Sequence, residues 1–351
     1  MEFNVKGITF TQDDLVTINL SDIEVNTISH AHYFHFLPGK SKAILLLRAG
    51  DYLDKEFVER FKKKGLASLY CLEVTSREEV QKYKTLWGQF KVQRTQKQKL
   101  LFRDVILKKV AEDFLILEEK SFLSFVIACF EEFNIYSQDF IYNFQNGSLI
   151  LYNRALLVSA LNSLVCLATD YTDYLFIKDF YNLAFGMDSG FILKEAPNFM
   201  LISACEAERK YPGSGQEYLE KNKRSEFEIK KFLNHPLTSF ELVSEFKEKF
   251  IFPELIEHIK IHHEKRDGTG FPYGLYYSSL SDTETLLSFC DYFVPFEEHH
   301  FHKGDGRLLL DKNFQSFTQS SFFSSLPVQH FSSSWQGVLN WSYLSQKAVS
   351  E

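Results

Sequence analysis

Short apolar runs bounded by turn residues dominate the first 75 or so residues, and helical stripes dominate the rest. Residues 32–36 and 43–47 read as strands flanking a Pro38-Gly39 turn, residues 54–64 as a helix ended by Gly65, and residues 67–72 as a returning strand. Further on, Phe240, Val243, Phe246 and Phe250 recur at helical spacing behind His235-Pro236, and Pro236 suits a first helical position. Pro253 and Glu254 begin another amphipathic helix, whose apolar line Leu255, Ile256 and Ile259 leads to His262 and His263. The line Leu287, Asp291, Val294 puts a carboxylate on an apolar face, where it must be paired, cation-bound or hydrogen-bonded to a neighbouring helix.

These patterns predict a mainly α protein: a small α/β unit over residues 1–75, a helical connector over 76–120, a helical domain over 121–310 and a tail over 311–351. The tail is rich in Ser and aromatics (Phe314, Phe317, Phe322, Phe323, Trp335, Trp341), which suits docking on a core or partner. The run Lys210-Tyr211-Pro212-Gly213-Ser214-Gly215 marks a loop, and no internal repeat is present.

Composition adds bounds. The chain has 351 residues, 45% hydrophobic and 16% aromatic, with 36 Phe, enough to fill a sizeable helical core. Cys71, Cys129, Cys166, Cys205 and Cys290 lack metal-ribbon spacing and read as reduced buried thiols. Glu2, Asn4 and Lys6 interrupt the first apolar residues, so no signal peptide is read and a cytoplasmic location is expected. The most membrane-like stretch, Leu149–Ala168, carries Tyr152, Asn153, Arg154, Asn162 and Ser163, which favours a buried helix over a membrane span. A net charge of −7 argues against specific nucleic-acid binding. The basic stretch Lys82, Lys84, Lys91, Arg94, Lys97, Lys99 and Arg103 reads as a solvated linker helix, with an anionic partner or lipid headgroups as the alternative.

The chemistry concentrates in one run, His262-His263-Glu264-Lys265-Arg266-Asp267-Gly268-Thr269-Gly270-Phe271-Pro272-Tyr273-Gly274-Leu275. Adjacent histidines project about 100° apart on a helix, so both reach one cavity only if it takes more than one metal ion, or a metal plus a substrate oxygen. The alternative is that the two imidazoles cap a helix and bond backbone carbonyls. His258 and His262, four apart, form a second candidate metal pair, and His299, His300 and His302 cluster further on; His258 and the 299–302 group read as mostly exposed polar residues.

This run resembles the signature of the HD-GYP family, bacterial proteins of the HD phosphohydrolase superfamily that hydrolyse cyclic di-GMP, with Phe271 where the family has tyrosine. Asn234-His235-Pro236 resembles the family's upstream histidine–proline pair, and Ser288-Phe289-Cys290-Asp291-Tyr292 its metal-binding aspartate segment, Asp291 lying 29 residues after His262 as is usual there. Residues 48–53 and the helix after them resemble amino-terminal domains of some such proteins, implying a regulatory or interaction domain. The resemblance implies an HD-type helical bundle behind that α/β domain. It implies metal ligands Asp188, His235, His262, His263 and Asp291, and one or two divalent ions, iron or manganese, although the residues themselves leave open that there is none. It also implies that Asp267, Gly268, Thr269, Gly270, Phe271 and Pro272 shape a ligand pocket or a docking surface for a signalling partner, with cyclic di-GMP as the ligand and homo-oligomers left open.

The chain departs from that pattern on one side of the site. Met187 stands where the superfamily's His-Asp pair has histidine, Phe191 replaces a lysine, Val294 a second aspartate, and the segment from Tyr152 to Ser159 offers no histidine. The stretch between Asp188 and His235 is longer than usual and is expected to cover the pocket. Outer-shell changes alone cost about 10- to 100-fold in metal affinity or activity, and a thioether is a poor ligand for metals that work on phosphate. The expectation is therefore a degenerate protein of cyclic di-GMP signalling that binds or interacts without efficient hydrolysis, and no catalytic residue is assigned. The alternatives are a phosphodiesterase with a reduced or rearranged site, and a purely structural interaction module.

Overall fold

The computed structural model describes residues 2–301 apart from 38–41, 117–119, 170, 193–198, 212, 277–278 and 298–300. The expected Pro38-Gly39 turn, the histidines at 299, 300 and 302 and the whole aromatic tail therefore lie outside the described residues.

The amino-terminal region is built on strands. β1 (Glu2–Val5) and β2 (Ile8–Thr11) form a hairpin, and β3 (Val16–Asn19), β5 (Ala31–Phe36), β6 (Ala43–Leu47) and β8 (Ser68–Glu73) form an antiparallel sheet in the order β3-β8-β5-β6. A short pair, β4 (Thr27–Ile28) with β7 (Tyr52–Leu53), stands beside it. Helix α1 (Lys55–Lys63) begins where Asp54 accepts from the Phe57 amide, and Gly65 follows it with φ +78°. Its Phe57, Val58 and Phe61 pack with Tyr33, Leu47 and Leu69 of the sheet. β5, β6, β8 and α1 thus fall within a residue or two of the expected positions, whereas β1 to β4 and β7 are additional strands.

His30 opens β5 under the turn to α2, its carbonyl accepting from the Val74 and Thr75 amides. Burial, and after it the nearby Arg77, push its pKa down from 6.5 to about 4, against an opposing pull from Glu131. The folded protein thus resists protonating His30 while the unfolded chain does not. Stability from this group is complete above pH 6.5 and is lost as pH falls toward 4, by up to about 3 kcal/mol. Denaturant titrations at pH 7 and pH 5 should show this loss in the native protein and a smaller one in His30→Gln.

The rest is helical: α2 (Arg77–Lys91), α3 (Gln96–Ala111), α4 (Leu123–Phe133), α5 (Gln138–Gly147), α6 (Leu149–Ala168), α7 (Tyr174–Gly186), α8 (Phe199–Lys210), α9 (Ser214–Lys221), α10 (Glu226–Ser244), a 3₁₀ helix (Pro253–Ile261) and α11 (Asp282–Phe293). This mainly α architecture behind a small α/β region is the expected fold class. α6 lies at its centre. It is apolar and long enough to cross a membrane, yet 89% of its most apolar window is buried inside the protein.

α2 and α3, read as a connector, bury Tyr83, Trp87, Phe90, Ile106 and Val110 in the same core as α4 and α6. Their basic side chains are partly paired rather than freely solvated: Lys82 meets Glu79, Lys84 meets Glu131 and Lys99 meets Asp173. Glu131 also accepts from Arg77 and from Thr27 Oγ1, tying β4 to the helices, and Ile28, Ala49 and Tyr52 enter the helical core. All five cysteines are free and buried, as expected.

The structure corrects the start of α10. Ser225 and Glu228 form a reciprocal capping box, so the helix begins at Glu226 and Pro236 lies inside it, not at its first position. A proline there has no N–H to offer the carbonyl four residues back, which is that of Phe232. The His235 ring takes that carbonyl instead, Nδ1 to O 2.6 Å. The His-Pro pair is thus a device for aiming an imidazole. The loop at residues 210–215 is also shorter than its composition suggests, since α8 runs to Lys210 and α9 starts at Ser214.

Candidate metal centre

Four elements converge beside α6. α7 ends at Gly186, and Met187 and Asp188 follow; a short 3₁₀ turn, Ser189–Ile192, then lies against α10. Met187 is buried in the core, whereas Asp188 faces the histidines. His235 comes from the middle of α10, and His262 and His263 from the end of the 3₁₀ helix. In a helix with three residues per turn neighbours diverge by about 120°, yet the chain turns after Ile261 so that both rings face the same space.

Asp188, His235, His262 and His263 are all buried, and one ligand atom from each lies within 4.8 Å of the others. Asp188 Oδ1 is 3.5 Å from His235 Nε2 and 3.6 Å from His262 Nε2, and the Nε2 atoms of His235 and His263 are 2.9 Å apart. Metal–nitrogen bonds of about 2.0–2.1 Å set neighbouring ligand atoms roughly 3–3.5 Å apart; the two separations from Asp188 are close to that, while the His235–His263 contact is a hydrogen bond between the rings.

Two further observations test whether the residues fit an ion. His235 Nδ1 faces the Phe232 carbonyl and His262 Nδ1 the Ile259 carbonyl at 2.7 Å; each carbonyl only accepts, so each Nδ1 carries hydrogen and each Nε2 is left to face the cluster. Capping of carbonyls and ligation, posed as alternatives by the sequence, are compatible: Nδ1 meets the carbonyl, and Nε2 on the opposite edge of the same ring faces the cluster. Second, Asp188 Oδ1 and His262 Nε2 are buried without a hydrogen-bond partner. Leaving a polar atom so costs about 1–3 kcal/mol. A cation between them would satisfy both, and three imidazoles with one carboxylate suit a borderline divalent metal.

Charge is distributed accordingly. Burial opposes ionisation of Asp188, but His235, His262 and Arg154 outweigh it and hold the carboxyl well below its usual range. Burial likewise opposes a charge on His262, but Asp188 and then Asp291 raise its pKa, while burial and the neighbouring imidazoles keep His263 well below the ordinary histidine value.

The residue that the sequence reading passed over is Arg154. It sits in the segment of α6 that offers no histidine, and it is fully buried. Nη1 donates to Asp188 Oδ2 at 2.7 Å, Nη2 to Asp291 Oδ1 at 2.7 Å and to the Asp291 carbonyl, and Nε to the Val294 carbonyl at 2.9 Å. The Phe296 ring covers the guanidinium at 3.5 Å. Each aspartate therefore gives one oxygen to Arg154 and turns the other toward the imidazoles; Asp291 Oδ2 stands 3.4 Å from His263 Nδ1. Asp291, expected as a ligand, lies outside the group of four and is placed to orient His263 from behind.

The rings are also walled by aromatics. Phe191 stacks on His235 at 4.0 Å and Phe271 on His263 at 4.6 Å. In the signature loop, Asp267 Oδ1 accepts from the Thr269 amide and hydroxyl, so these two orient the turn. A Cβ on Gly268 would strike the Tyr276 ring, and one on Gly270 would lie 2.3 Å from the His263 carbonyl, so the loop passes too close to the site for any side chain there. Pro272 follows Phe271 as the loop leaves the site. Glu264, also missed, anchors the loop: its buried carboxylate accepts from the Tyr273 amide at 2.6 Å and the Leu275 amide at 2.8 Å. His258 turns away to Thr283 Oγ1, so the His258–His262 pair does not form.

No family model and no curated protein matches the chain. Among solved structures, Bd1817, a HDG"Y"P protein from Bdellovibrio bacteriovorus, aligns over 92% of this chain and 100% of its own at 17% identity, with a TM-score of 0.35, a likeness too distant to establish family membership.

Proposed function

We propose that the protein is a degenerate HD-GYP-like component of cyclic di-GMP signalling, a cytoplasmic binding or interaction protein that holds one divalent ion and turns over phosphodiesters weakly or not at all. The observation that carries this reading is Arg154. A guanidinium bonded to one oxygen of each aspartate supplies a permanent positive charge on one side of the cluster, and it withdraws those two oxygens from metal ligation. What is left is a single sphere made by Asp188, His235, His262 and His263, with Asp291 behind His263.

An ion held there would polarise a phosphate oxygen as a Lewis acid. The chain's own residues orient the ligand imidazoles through the Phe232 and Ile259 carbonyls and close the site with Phe191 and Phe271. On this reading residues 1–75 are the regulatory or interaction domain, and the Asp267–Pro272 turn is the surface offered to a signalling partner.

Elemental analysis of protein purified without chelator should find about one equivalent of iron, manganese or a similar ion. Incubation with cyclic di-GMP should yield no linear product above a chelator-treated control. Two ions per chain with rapid product formation would refute the proposal in favour of an active phosphodiesterase, and a metal-free protein that binds no cyclic di-GMP would leave only a structural module.

A further inference from the structure

The centre is shut. Beside the imidazoles the structure leaves a cavity of only about 10 Å³, lined by Glu208, Arg209, His263, Lys265, Asp291 and Tyr292 among others. That is room for about one water, whereas sites for nucleotide-sized ligands run to roughly 300–1,000 Å³. On one side the cavity is lined by Glu208 and Arg209 of α8, which belongs to the stretch between Asp188 and His235. Its Arg209 donates to the Tyr292 carbonyl at 3.1 Å, and Glu206 accepts from the Phe296 amide at 2.9 Å, so the helix is fastened over the end of α11.

At the inner face of this cover, Glu208 reaches Lys265, two residues beyond His263. Both are almost wholly buried, 1% and 5% exposed. Their separation, 3.3 Å from Nζ to Oε1, is long for a charge-assisted bond, which prefers about 2.7–2.9 Å, and the ammonium has three hydrogens to place. Glu208 is better served by backbone, for the same Oε1 accepts from the Gly213 amide at 2.9 Å and Oε2 from the Gly215 amide at 3.1 Å. A buried lysine beside an ion cluster, loosely held by a carboxylate that has partners elsewhere, is a seat for an anion.

We infer that Lys265 is the phosphate-binding residue of this site and that the Glu208 carboxylate occupies its place as an internal stand-in for the ligand, so that an incoming phosphate must displace Glu208 and lift α8 and α9. The inference rests on the phosphodiester reading above but concerns a different contact. Displacement exchanges one buried anion for another on the same ammonium, so Lys265 is never left buried and unpaired. Glu208 keeps its two amide donors and moves with its own helix.

The test uses the full chain and inorganic phosphate as the probe. Calorimetric titration of Glu208→Gln should show phosphate binding at least about tenfold tighter than in the native protein, one such factor being the loss of about 1.4 kcal/mol of competing contact. Adding Lys265→Met to that variant should abolish the gain. In the native protein, saturating phosphate should speed amide hydrogen exchange across residues 199–221. A folded Glu208→Gln with unchanged affinity, or a gain that survives Lys265→Met, overturns the inference. If Glu208→Gln does not fold, unaltered exchange over 199–221 in phosphate-saturated native protein overturns it equally. Cyclic di-GMP is the second arm: if it fails to bind while phosphate behaves as stated, the anion seat stands and the signalling reading falls.

Discussion

Replacing Arg154 with methionine should cost about 3–5 kcal/mol of stability, the usual penalty for removing one partner of a buried ion pair. Methionine has comparable length and suits an apolar helix, so the loss would come from what it strands rather than from a void. Without the guanidinium, Asp188 Oδ2, Asp291 Oδ1 and the carbonyls of Asp291 and Val294 all lose their donor in a dry interior. Since a domain is held by about 5–15 kcal/mol in all, the variant should sit near the edge of folding. Arg154→Lys should fall between, because it keeps the charge but cannot reproduce a planar fork that serves four acceptors. The electrostatic account also predicts rescue: an excess of divalent cation should restore part of the lost stability in Arg154→Met and stabilise the native protein less. Guanidinium denaturation followed by circular dichroism measures both. A loss below about 1 kcal/mol, within the ordinary range for one neutral hydrogen bond, would show that the aspartates find other partners and that Arg154 is not the charge balancing them.

Arg154 also shows where the sequence was readable and where it was not. The strand alternation and the apolar character of α6 report burial directly, because burial is a one-body property of each side chain, and the fold class follows from them; the stripe behind His235 is only half right, since α10 ends at Ser244 and Phe246 and Phe250 lie beyond it. The His262-His263 run and Asp291 were visible for the same reason, as polar groups on apolar lines. Arg154 carried that signal too: a charge in the middle of an apolar 20-residue helix must have a buried partner. Pair properties were harder. That Asp291 serves Arg154 and His263 rather than the group of four, and that Glu208 meets Lys265, depend on contacts between residues 137 and 57 positions apart, which no local period encodes. Pro236 departs from expectation because proline's preference for a first helical turn is a local rule, and here the capping box at Ser225 and Glu228 has already begun the helix.

Gly190→Ala should be strongly damaging although it adds only a methyl group. A Cβ at this position would lie 2.5 Å from the His235 carbonyl oxygen, 2.6 Å from the Ser239 amide nitrogen and 2.7 Å from Ser239 Oγ, and two of those atoms are backbone of α10 that cannot rotate away. Gly190 also donates its amide to Ser239 Oγ at 2.8 Å, so the Ser189–Ile192 turn is both pressed and bonded to α10. Relief requires the turn to move bodily off the helix, at about 2–3 kcal/mol by analogy with overpacked cores. The consequence for the site follows from chain connectivity. Asp188 lies two residues before Gly190 and His235 on the helix being pushed, so the displacement acts along the 3.5 Å separation of two ligand atoms. Metal affinity should fall at least about tenfold, as it does when a ligand loses its support. Gly88→Ala is the control: it lies in α2 with nothing within 4 Å of its added Cβ, and should be neutral or stabilising by up to about 1 kcal/mol because alanine loses less backbone freedom in a helix. Parallel unfolding curves and metal titrations of the two variants decide the matter. If Gly190→Ala keeps both its stability and its metal affinity, the close approach of this turn to α10 does not set the spacing of Asp188 and His235, and the cluster is held together by the histidine and arginine contacts alone.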